Sequence, residues 1–105
     1  MKTNKINDLH FALLVAKVKA SELNDINDGG TSNMDTPVIF LPEWNKSDIA
    51  KAFESTGLIP SIHKGAVFIL RACDGQGYRR TAMAEAFRDS LRTSGYNSAV
   101  DYRMD

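Results

Sequence analysis

Cysteine is almost missing from this chain. Cys73 is the single thiol among 105 residues, so no internal disulfide can staple the fold. Excess charge is missing too, because thirteen Lys and Arg balance thirteen Asp and Glu. That balance excludes a histone-like polycation and a strongly acidic nucleic-acid mimic. No apolar run approaches the ~18 residues that cross a bilayer. The stretch from Phe11 to Val18 is short and has the wrong flanking charges for a secretion signal. A cytoplasmic protein without membrane contact is the expectation. Internal repeats and low-complexity segments are also absent.

Chemistry-bearing constellations are equally sparse. His10, His63 and Cys73 are too few and too scattered to form a metal-ligand motif. A Cys–His nucleophile would need His63 against Cys73 and a third group to orient it, and no such pattern is present. The carboxylate pairs Asp25/Asp28 and Glu85/Asp89 fall in a polar loop and on a helix surface, which suits solvated charge better than acid–base work. The segment Asp74-Gly75-Gln76-Gly77-Tyr78-Arg79-Arg80 joins a strand to a helix, a place where backbone N–H groups can cradle an anion. Its spacing matches neither the P-loop nor the dinucleotide fingerprint, so the Gly75–Gly77 turn reads as a surface turn. No cofactor is implied, and the chain reads as non-enzymatic.

What is present describes one domain, residues 1–105. Residues 5–24 form a helix in which Ile6, Leu9, Leu13, Ala16, Ala20 and Leu23 make a heptad stripe. Phe11, Leu14, Val15 and Val18 add a second apolar flank. A helix this apolar must be buried on more than one side, by its own fold or by a partner. Residues 25–36 are a polar loop. The body, 37–105, reads as β-α-β-β-α-β, the ferredoxin-like order. Pro37–Leu41 and Ala66–Leu70 are its buried central strands. Pro60 marks an edge strand. Asn45 caps the first body helix, and Gly57 and Gly95 stop the two body helices. The competing arrangement merges 58–72 into one bent strand of a three-stranded parallel β-α-β-α-β sheet.

Within that order, Ile39-Phe40-Leu41 and Lys64-Gly65-Ala66-Val67-Phe68-Ile69 resemble the two strand motifs of the RNA recognition motif. The resemblance implies that Phe40 and Phe68 stack bases, aided by Lys64 and Arg71. Ala66 and Arg71 stand where that family has further aromatics, and Val67 where it has a small residue. By period-two alternation Val38, Ala66 and Leu70 share a face with both phenylalanines. That apolar face should be covered, and the first helix is the expected cover.

Charge is unevenly distributed. Residues 1–56 hold six lysines and eight acids; residues 57–105 hold six arginines, one lysine and five acids. The sequence therefore predicts a protein–protein interaction module of adaptor or inhibitor type, a class that mobile elements also encode. Trp44, Tyr78, Arg79, Arg80, Arg88 and Arg92 are its candidate contact residues, and homodimerisation through the first helix is a further expectation. The alternative is a single-stranded nucleic-acid binder using Phe40, Phe68 and the Arg71–Arg103 cluster. A sealed sheet favours the first; bare phenylalanines favour the second.

Overall fold

A computed structural model describes residues 2–23, 33–73 and 77–103. Among these residues there are three helices and four strands in the order α1 (Lys2–Ser21), β1 (Thr36–Phe40), α2 (Lys46–Phe53), β2 (Ile59–His63), β3 (Ala66–Leu70), α3 (Gly77–Thr93) and β4 (Ser98–Asp101). The strands make one antiparallel sheet, ordered β2-β3-β1-β4. The protein is thus α+β. Most of the polar loop, residues 24–32, and the Asp74–Gln76 part of the Gly-rich turn lie outside the described residues.

Local chemistry explains the element boundaries. The Asn45 side chain accepts a hydrogen bond from the Asp48 amide at 2.8 Å, the expected cap of α2. That helix ends at Phe53, ahead of the predicted Gly57 stop, because Glu54 leaves the helical region (ψ 138°). The buried Thr56 hydroxyl then donates to the Phe53 carbonyl at 2.6 Å, satisfying a terminal acceptor. The three-stranded alternative fails at Lys64-Gly65. Both residues have positive φ, 48° and 88°, and reverse the chain in a tight hairpin turn that separates β2 from β3. At Gly65 a Cβ would sit 3.2 Å from the Pro42 Cα, so the residue is also required for close backbone approach. Pro60 lies in edge strand β2, where one side of the backbone has no ladder partner.

The expectation that the first helix covers Phe40 and Phe68 is overturned. Helix α1 packs against α2 and α3. Leu9, Ala12, Leu13, Ala16 and Ala20 are buried and share one core cluster with Ile39, Val67 and Ile69, which point to the opposite side of the sheet from the phenylalanines. Three alanines on the buried stripe leave room for the helix to wedge between its neighbours. Two hydrogen bonds hold it there: His10 Nδ1 to the Ala52 carbonyl at 2.9 Å, and Lys17 Nζ to the Thr56 carbonyl at 2.6 Å. All three helices therefore occupy one face of the sheet, and no described element lies over the other.

The packing predicts a sharp contrast along α1. Leu13→Ala, at a fully buried position, should cost about 2–5 kcal/mol. Val18→Ala, on the exposed flank, should change stability by no more than about 0.5 kcal/mol. Urea unfolding midpoints of the two variants check this; equal losses would mean that α1 is oriented differently.

Candidate functional site

Two apolar surfaces remain open. The first lies on α1. Phe11, Leu14 and Val18 recur at helical spacing and are 60%, 37% and 59% exposed. Val15 beside them is half-buried and contributes to two grooves running along α1 and the C-terminal part of α3. The heptad stripe is consumed inside the fold, so the second flank is the part of α1 left for contact.

The second surface is the open sheet face. The strand register sets Val38, Phe40, Ala66, Phe68 and Leu70 there with Ile59, Ser61, His63, Ala99 and Asp101. Phe40, Ile59 and Leu70 are each 40% exposed, whereas Val38 is buried among its neighbours and Phe68 is half-buried. The His63 ring meets Phe68 edge-on at 5.4 Å, and its Nε2 shares a 3.0 Å hydrogen bond with Ser61. A concavity of about 500 Å³ lies over this face, bounded by Met34, His63, Leu70 and Arg103. Lys64 and Arg71 sit at opposite ends of β3. Arg103 is engaged by Asp101 at 2.6 Å.

The arginines of the predicted contact set do not gather on that face, because α3 packs on the other side of the sheet. Arg80 Nε donates to the Asp35 carbonyl at 2.8 Å, and Arg92 Nε donates to the Ser98 carbonyl at 2.9 Å. Arg88 pairs with Asp89 at 2.8 Å and reaches the Tyr102 hydroxyl at 3.4 Å. Arg79 is half-buried. Arg80 and Arg92 tie α3 to the start of β1 and to β4. The same job falls to the buried Asp35, whose carboxylate accepts from Thr81 Oγ1 at 2.6 Å and from the Arg103 amide at 2.9 Å. Tyr78 is 67% exposed at the start of α3. Trp44 directly precedes the α2 cap, packs partly on the core, and holds the Lys5 ammonium 4.2 Å from its ring centre.

Sequence reasoning missed Met34 and Ile59 on the open face, and Lys5 and Tyr96 near Trp44, whereas Arg103 belongs to the Arg71–Arg103 cluster of the nucleic-acid alternative. Ile59 had a legible signal, since its place two residues before Ser61 in an edge strand fixes its face once the pairing is known. Lys5 had none, being brought to Trp44 only by the docking of α1. Among the described residues no group of three His, Cys, Asp or Glu side chains is placed to hold a metal, and no helix is long and apolar enough to cross a membrane.

Titration offers one check on the α3–β4 contact. Tyr102 Oη donates to Glu85 Oε2 at 2.6 Å, which raises the phenol's pKa above its ordinary value near 10, with partial burial adding to the effect. The neutral phenol thus favours the folded state below pH 10, and that contribution fades as pH rises through the raised value. A tyrosine absorbance titration should show a late-ionising group that Tyr102→Phe lacks, and the variant should lose less stability across that window. Comparison with known proteins returned no match: no protein family, no curated protein and no solved structure corresponds to this chain.

Proposed function

We propose that this protein is a small non-enzymatic interaction module, adaptor or inhibitor in type, that acts by occupying the surface of a partner protein. The observation that carries the reading is the exposed Phe11–Leu14–Val18 stripe on a helix whose opposite side is core. Large apolar side chains clustered at helical spacing mark protein interfaces more often than solvated surface. We further read the body as ferredoxin-like. The all-antiparallel order β2-β3-β1-β4, with β1 and β3 central and the helices on one face, supports that reading.

A second reading, single-stranded nucleic-acid binding, is favoured by the bare sheet face bearing Phe40 and Phe68. Bases stack on exposed rings, but the strand must also be held through its phosphates. The cations at hand are Lys64, Arg71 and an Arg103 already paired with Asp101, while four of the arginines lie on α3 behind the sheet. The missing phosphate track keeps protein binding first although the sheet is uncovered.

A photo-crosslinking side chain at position 14 tests the choice. In host lysate it should give a discrete protein adduct that excess wild-type protein suppresses. Excess of the Phe11→Ser/Val18→Ser double variant should compete at least about tenfold more weakly. Absence of an adduct, or equal suppression by both competitors, overturns the reading. Saturable binding of single-stranded RNA whose affinity falls log-linearly with salt, and which Phe40→Ala abolishes, would put the second reading in its place.

A further inference from the structure

A third feature lies at the end of the sheet, where Phe40 of the open face borders it. At the C-terminal end of β1, which finishes at Phe40, a pocket of about 350 Å³ opens beside Trp44 and Tyr96. Lys5 and Glu43 line it as well. Trp44 and Tyr96, both packed against the core on the helical side, bring two aromatic side chains to one small space, more than helix stapling by Trp44 requires. Their faces carry negative electrostatic potential and attract cations.

The pocket already shows that preference. The Lys5 ammonium stands 4.2 Å from the Trp44 ring centre, within cation–π range. Lys5 is an exposed side chain near the start of α1, so its hold is that of a flexible surface group. Among the pocket's lining residues the other charge is acidic. Glu43 lines it, and Asp8 lies close enough to add to the upward shift of the Tyr96 phenol, whose main cause is burial. Removing Lys5 would leave aromatic faces flanked by two carboxylates, an environment that repels phosphate and carboxylate ligands.

We propose that this pocket is a recognition site for a cationic side chain of the partner, an alkylammonium group that takes the place of Lys5 over Trp44. It deepens the interaction-module reading by naming the chemistry of one contact, and it accounts for Trp44 as a recognition residue. Lys5 acts as an internal stand-in, keeping the aromatic faces covered until a better-placed cation arrives.

Trp44 is the single tryptophan in the chain, so its emission reports on the pocket directly. Tetramethylammonium is the probe, titrated at constant ionic strength into the full-length protein. Neopentyl alcohol, a neutral molecule of similar shape, is the control. Lys5→Ala should give a saturable emission change at millimolar tetramethylammonium, at least about threefold tighter than wild type, with no saturation by the alcohol. Glu43→Gln in the Lys5→Ala background should weaken binding about threefold, read from the midpoint of the titration. Equal responses to cation and alcohol would overturn the proposal, as would a Lys5→Ala protein that binds no tighter than wild type. The assay involves no partner protein, so its failure is separable from failure of the crosslinking experiment.

Discussion

The fold depends on the wedging of α1 between α2 and α3. Those two helices share one face of the sheet without packing on one another, and α1 fills the space between them. Leu9 and Leu13 supply the buried apolar area, while Ala12, Ala16 and Ala20 keep the helix slim enough to fit. The contacts to Ala52 and Thr56 set its register. Everything exposed follows from this placement. With α1 committed to the helical side, no described element covers the sheet's other face, the second apolar flank of α1 turns outward, and Lys5 arrives at Trp44.

The arginines illustrate how the same geometry redirects charge. Six of them follow residue 70, and in sequence they resemble an anion-binding cluster. In space, Arg80 and Arg92 are spent on backbone carbonyls and Arg88 on a neighbouring carboxylate and phenol. Arginine's planar fork suits such clamps, and a clamp fixed to its own backbone is less available for a ligand. Together with Asp35 and Thr81, these contacts fasten α3 to the strand segments at both ends of the body.

Much of the architecture was legible because it is written locally. Asn45 three residues before Asp48 announces a cap, the Lys64-Gly65 pair announces a hairpin, and the apolar runs at 37–41 and 66–70 announce central strands. Residues 24–32 of the polar loop region and 74–76 of the Gly-rich turn stand outside the described residues and test nothing. The side of the sheet taken by α1 was not legible. Both faces of β1 and β3 are apolar, Ile39 and Val67 on one and Val38, Phe40 and Phe68 on the other, so alternation alone gives no preference for the helix. What decides it is the gap between α2 and α3, which becomes visible only when the helices are placed over the strands. The candidate site was legible in part for the same reason. Phe11, Leu14 and Val18 were recognisable as an excess of apolar surface, whereas the solvent-facing side could not be told from the buried one.

Two open apolar surfaces on opposite sides of so small a body constrain what it can do. The upward shifts at Arg88, Tyr96 and Tyr102 each have a structural cause: the hydrogen bond to Asp89 for Arg88, burial for Tyr96 and the hydrogen bond to Glu85 for Tyr102. The Ser61–His63 pair stands on edge strand β2, and Asp101 on β4 at the far edge of the sheet. Recognition makes few demands. It needs rigid apolar anchors and a few charges that fix register, and the exposed flank of α1 and the aromatic pocket at the end of β1 supply one of each on elements held by the same core.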